Sequence, residues 1–103
     1  MVEIVYRVLL KNNQEDAFKN LAEEVLIAEA RKISGCIQFS LFQNITNERE
    51  FIFYEKWSNK TEVERYKASL IRILGNPKPG EEFPQKMNDL IEEDEDLEVR
   101  DKG

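Results

Sequence analysis

Cys36-Ile37-Gln38-Phe39-Ser40-Leu41-Phe42-Gln43 and Phe51-Ile52-Phe53-Tyr54-Glu55-Lys56-Trp57, joined by the polar stretch Asn44–Arg49, decide how this chain folds. In the first run Ile37, Phe39 and Leu41 point one way and Gln38, Ser40 and Phe42 the other. In the second, Phe51, Phe53, Glu55 and Trp57 oppose Ile52, Tyr54 and Lys56. A strand turns successive side chains to opposite faces, so this period of two marks strands, and the β-branched and aromatic content agrees. A short polar connection makes the pair an antiparallel hairpin, with a loop slightly longer than the tightest turns.

Upstream of the hairpin the period changes. From Gln14 to about Ile33, Phe18, Leu21, Ala22, Val25 and Ala28 recur at spacings of three and four, the stripe of an amphipathic helix. Ser34-Gly35 ends it, glycine being suited to the left-handed position after a last turn. Residues 2–10 read as another strand, with Ile4, Tyr6, Val8 and Leu10 on one side and Val5, Arg7 and Leu9 on the other. Lys11-Asn12-Asn13 then breaks it with turn formers.

Downstream, Ser58 or Asn59 caps a second helix, and Glu62 stands three residues after Asn59 in capping-box position. Val63, Tyr66, Leu70, Ile73 and Leu74 form its apolar stripe. Gly75-Asn76-Pro77-Lys78-Pro79-Gly80 cannot continue a helix. A shorter helix is expected over residues 82–91, with Phe83, Met87, Leu90 and Ile91 on one side, followed by a short final strand at Leu97–Arg100. The acidic run Glu92–Asp96 lacks the spaced ligands and turn glycine of an EF-hand loop and reads as a solvated helix end.

The order β-α-β-β-α-(α)-β, with right-handed crossovers, sets both main helices on one face of the sheet. The expected fold is therefore α+β, a ferredoxin-like βαββαβ four-stranded antiparallel sheet in a single domain over residues 1–103. The other face should be mostly polar in a monomer. Instead it collects Val5, Leu9, Phe42, Ile52 and Tyr54 among Arg7, Gln38, Ser40 and Lys56. A patch of that kind predicts a homodimer packed through the open sheet face; the alternative is a C-terminal segment folded back over it.

Composition narrows the function classes. A net charge of -6, with 15 basic residues scattered among 21 acidic ones, argues against nucleic acid or an anionic membrane surface as partner. No apolar run approaches the roughly 18 residues needed to span a bilayer, and the N-terminus has no signal-peptide pattern. Cys36 is the only cysteine, so no intrachain disulfide forms and a cytoplasmic location is expected. The chain has no histidine, which removes the usual neutral-pH base and the commonest zinc and haem ligand. No metal and no cofactor are expected.

With the element order in place, three segments resemble the antibiotic biosynthesis monooxygenase (ABM) domain family. Glu29–Phe39 is similar to the family's helix end, glycine turn and second strand, S-R-x-E-P-G-C-x-x-Y; Phe51–Asn59 matches its F-x-x-x-E-x-W-x-D/N strand and cap; and Lys11–Phe18 looks like its K-P-G-x-x-x-x-F entry into the first helix. These lie in register over residues 1–74, and segment 75–91 looks like an insertion carrying an extra short helix. The chain also departs from the family. Where members commonly carry a histidine nine residues after the tryptophan and another about five later, Tyr66 and Ile71 stand here. Where the haem-degrading branch places an asparagine on strand one, Tyr6 stands, so the resemblance does not carry haem degradation by that route.

The resemblance implies a function: oxidation of a small aromatic or quinol-type compound without metal or flavin, the substrate's own carbanion reducing O₂. The protein then supplies an apolar cavity and a group to deprotonate a phenol or enol. By position that cavity is lined by Tyr6, Phe39, Phe53 and Trp57 as ligand-binding residues, with Glu55 as base and Tyr66 hydrogen-bonding a substrate oxygen, the two forming a polar pair. Each also has a plainer reading. Phe39, Phe53 and Trp57 read as core, Tyr66 as core or interface with its hydroxyl at the rim, and Glu55 as paired with Arg7, Arg31 or Lys56 or hydrogen-bonded to backbone amides. Cys36 has no histidine to activate it. The alternative function is a non-enzymatic dimeric ligand-binding or regulatory module, and a third is isomerisation or degradation of a small metabolite with Glu55 again as base.

Overall fold

Alternation and helical periodicity translate into four strands and one layer of helices in the computed structural model, which describes residues 1–101, with side chains through Leu97. β1 (Val2–Leu10) leads into α1 (Glu15–Leu21), which continues through a π-helical stretch (Ala22–Ile27) into α2 (Ala28–Arg31). β2 (Cys36–Gln43) and β3 (Glu50–Trp57) form the hairpin, and α3 (Lys60–Leu74), the single turn α4 (Gln85–Asn88) and β4 (Ile91–Asp101) follow. The sheet order is β2-β3-β1-β4, antiparallel throughout, which is the ferredoxin-like arrangement with the helices against one face.

The faces follow from register. β1 pairs with β3 so that Ile4 faces Glu55, Tyr6 faces Phe53 and Val8 faces Phe51. These residues all look toward the helices, where Phe18, Ala22, Leu26 and Ala30 meet Val63, Tyr66, Leu70 and Leu74 over Phe53 and Trp57. Asn59 Oδ1 accepts from the Glu62 amide at 3.1 Å, so Asn59 is the cap of α3. Gly75, with φ +91°, ends that helix.

Several expectations are corrected. Ile37 does not join Phe39 and Leu41 on the helix side. A bulge between Cys36 and Gln38 inserts one residue against β3, so Cys36 turns inward opposite Trp57 and Ile37 outward, 58% exposed. Gly35 is not in the left-handed region, since positive φ among the glycines occurs at Gly75 and Gly80. Its need for a missing side chain is steric: a Cβ would lie 2.2 Å from Glu62 Cγ and 2.6 Å from Ser58 Oγ. The expected helix over 82–91 shrinks to Gln85–Asn88, because Ile91 already pairs with Leu10.

The last strand is correspondingly longer than Leu97–Arg100, and Glu92–Asp96 is strand rather than helix end. Acidic residues have poor intrinsic β-propensity. Here the strand lies at the sheet's edge, and its side chains from Glu92 to Leu97 are exposed while its backbone pairs with β1. The bulge also enlarges the open face, on which Ile37 and Phe42 (57% exposed) stand beside the half-buried Val5, Leu9, Ile52 and Tyr54.

Candidate active site

Strand β3 delivers a carboxylate into an apolar interior. Alternation that turns Phe51, Phe53 and Trp57 inward also turns Glu55 inward, and it is 4% exposed. One donor comes from its own strand, two residues on and on the same face: Trp57 Nε1 donates to Glu55 Oε1 at 2.9 Å. Tyr6, from β1, is its second hydrogen-bonding group, and Lys67 on α3 is the cation that acts on it. Burial nevertheless dominates, and the Glu55 carboxyl is pushed up to about 7, against the hydrogen bonds of Trp57 and Tyr6 and the charge of Lys67. Neither Arg7 nor Lys56 reaches it. Arg7 lies on the open face paired with Glu50, and Lys56 sits 5.6 Å over the Tyr54 ring.

The tyrosines answer differently from the expected pair. Tyr66 is buried, and its hydroxyl donates to the carbonyl oxygen of Leu26 in the π-helical stretch at 2.9 Å, not to Glu55. Its phenol is pushed up by burial first and by the Glu55 charge second. Tyr6 is raised by the same causes in the same order, and it is the phenol that faces the carboxyl. Its ring stacks on Phe53 at 4.5 Å with the planes 4° apart. Cys36 is raised by burial and by Glu55, so its thiol is not activated.

Beside Glu55 lies a cleft of about 440 Å³ between the sheet, α3 and the segment around α4. That volume falls within the roughly 300–1,000 Å³ of small-molecule sites. Tyr6, Glu55 and Tyr66 line it together; Phe39, Phe53 and Trp57 do not. Phe53 and Trp57 are fully buried, and Phe39 packs edge-on to Phe53 and Tyr66 with centroids 6.0 and 5.6 Å away. These three hold Tyr6, Glu55 and Tyr66 in place from behind.

The lining also includes residues that sequence reasoning missed as site residues: Lys67 and Ile71 from α3, Phe83 and Met87 from the segment after it, and Asp96 from β4. Phe83 and Met87 were legible as an apolar stripe in a polar stretch, but nothing in their spacing told which way they face. Among the described residues no group of three or more Asp, Glu, Cys or His side chains is placed to hold a metal ion. No helix among them is long and apolar enough to cross a membrane.

Comparison with known proteins agrees with this architecture. The model of the antibiotic biosynthesis monooxygenase family matches residues 1–72. The fold is similar to that of a candidate antibiotic biosynthesis monooxygenase from Nitrosomonas europaea, at 15% identity and a TM-score of 0.76 over 98% of this chain and 97% of that one. It is similar to a Shewanella oneidensis protein at 22% identity and a TM-score of 0.75, covering 96% and 87%. A candidate monooxygenase of the same kind from Bacteroides thetaiotaomicron aligns at 8% identity and a TM-score of 0.78, covering 98% and 89%. At these identities the likeness speaks for the fold alone. Among curated proteins no match was found. Because the matching family model spans residues 1–72, most of the chain, this protein belongs to the antibiotic biosynthesis monooxygenase family.

Proposed function

We propose that this protein is a homodimeric, cofactor-independent monooxygenase acting on a small aromatic or quinol-type compound, with Glu55 as the base. The observation that carries the reading is a single buried carboxyl, near neutral pKa, lining an apolar cleft of small-molecule size. A base is most useful when its pKa lies near the working pH, since it is then both available and strong enough to take a proton. In the carboxylate form Glu55 removes a proton from a CH₂ flanked by hydroxylated rings. The resulting carbanion gives its electrons to O₂; one oxygen atom enters the substrate as a carbonyl and the other leaves as water with the two hydrogens. Tyr6, hydrogen-bonded to Glu55, steadies its orientation, and Lys67 offers a positive charge to the developing substrate anion.

Dimerisation through the open face is part of the same reading, supported by Ile37 and Phe42 standing more than half exposed on a sheet face with four further apolar residues. The non-enzymatic alternative is favoured by the close packing of Phe39, Phe53, Trp57 and Tyr66, which fills most of the interior.

The test is thermal unfolding of the purified protein against quinols, anthrones, flavins and haem, followed by oxygen uptake with whichever class shifts it. A ligand at 100 times its dissociation constant adds about 2.7 kcal/mol, several degrees for a domain of this size. Selective stabilisation by one aromatic class, with oxygen uptake that Glu55→Gln abolishes in a folded protein, supports the monooxygenase. Turnover without oxygen uptake indicates isomerisation on the same base. No shift with any compound leaves the regulatory module.

A further inference from the structure

Next to the cleft beside Glu55 lies a second, outer hollow of about 450 Å³, and the two share Tyr6, Glu82, Phe83 and Asp96 in their linings. The Tyr6 and Phe83 rings, with centroids 5.8 Å apart, lie on the boundary common to both spaces. The outer hollow is walled by Glu81 and Glu82 after α3 and by Asp94, Glu95 and Asp96 of β4. Register accounts for two of the second group: Asp94 pairs with Val8 and Asp96 with Tyr6, both helix-side positions, whereas Glu95 pairs with Arg7. Two of the five carboxylates are engaged, Glu81 by the Asn88 amide at 2.6 Å and Glu95 by Arg7 at 3.9 Å. Glu82, Asp94 and Asp96 make no ion pair among the described residues. Among the described residues no cation lines the outer hollow, and Lys67 is the one that lines the inner cleft.

An apolar recess whose mouth carries charge of one sign concentrates ligands of the opposite sign and repels those of its own. Two aromatic rings on that shared boundary add a favourable surface for a cation. We infer that the cleft selects an aromatic compound bearing a protonated amine, its ring entering past Tyr6 and Phe83 and its ammonium held among Glu82, Asp94 and Asp96, and that it excludes carboxylated aromatics. This inference rests on the cleft being the ligand site, as proposed above, and adds the charge of what enters it.

Three probes that differ only in one substituent separate the two ideas: 1-naphthylmethylamine, 1-naphthalenemethanol and 1-naphthylacetate, titrated calorimetrically into the full chain at low and at physiological salt. The expected order is amine, alcohol, acid, with the amine about tenfold tighter than the alcohol at low salt and the gap narrowing as salt screens the rim. In the Glu82→Gln/Asp96→Asn protein the amine-to-alcohol ratio falls toward one. Equal binding of all three probes, or tightest binding of the acid, overturns the charge selection and leaves the cleft as a ligand site. Binding of none overturns the cleft reading and this inference with it.

Discussion

Replacing Glu55 by glutamine should make the protein more stable at alkaline pH, and the size of the gain follows from its burial. The carboxyl is 4% exposed and titrates at about 7 in the fold against an ordinary value of 4.5. Below pH 4.5 it is protonated whether the chain is folded or not, and its titration costs nothing. As pH rises from 4.5 the unfolded chain releases this proton freely while the folded one retains it. Stability therefore falls until both states are ionised above pH 7. The shift corresponds to about 3 kcal/mol lost between pH 4.5 and 8. Glutamine keeps an oxygen to accept from Trp57 Nε1 and carries no charge, so the variant should lack this slope. Glu29 and Glu50, held low chiefly by hydrogen bonds from Lys32 and Arg7, lose their contributions only at more acid pH. With no histidine in the chain, no other side chain has its unperturbed pKa inside the window. Urea unfolding at pH 5, 6, 7 and 8, followed by the fluorescence of the only tryptophan at fixed protein concentration, measures both proteins. A wild type whose stability is flat across this range, or a variant that keeps the same slope, would refute the buried-carboxyl account.

Tyr66→Phe should cost about 1–2 kcal/mol in the same assay, because it leaves the buried Leu26 carbonyl without its hydroxyl partner; if it abolishes oxidation in a stable protein instead, the hydroxyl works on substrate. Trp57→Phe removes one of the two donors that lower the Glu55 pKa, so the midpoint of the pH slope, followed for both proteins by circular dichroism because the variant has no tryptophan, should move upward; an unmoved midpoint means the indole contributes packing alone. Gly35→Ala places a methyl group within 3 Å of Glu62 and Ser58 and should destabilise by about 1–3 kcal/mol, a claim that a change below about 0.5 kcal/mol in urea unfolding would remove. Phe42→Asp should convert a species of twice the chain mass to one of the chain mass in sedimentation; a wild type that already sediments as a single chain contradicts the dimer.

The parts of the fold that could be read from the residues are those where one physical rule acts alone. Phe51–Trp57 alternates without interruption, so its face assignment, including an inward Glu55, follows from the pleat. Ile37 fails for the opposite reason. A bulge leaves the composition of β2 unchanged but reverses the phase of everything before it, and the extra residue is visible only in the pairing with β3. The Glu92–Asp96 run was misread because local propensity disfavours it in a strand, while β1 offers a complete row of backbone partners. Half of the candidate site was legible because Tyr6, Glu55 and Tyr66 sit on regular elements. The other half, Phe83, Met87 and Asp96, depends on how the chain after Gly75 returns over the cleft, and no periodicity encodes that path.

The two margins of the sheet are unlike each other, and this bears on how the protein behaves in concentrated solution. Among the residues whose side chains are described, the β4 margin carries Glu92, Glu93, Asp94, Glu95 and Asp96, while Cys36–Gln43 at the opposite margin has no ionisable carboxylate or cation at all. Exposed strand margins are templates for adding further strands, and repulsion between like charges is one way of preventing it. At neutral pH two β4 margins cannot approach, and the β2 margin relies on its bulge. Acidification below the carboxylate range removes the first safeguard and leaves the second. Fibrous self-association should therefore set in at low pH through β4, well before the helices that cover the core have melted.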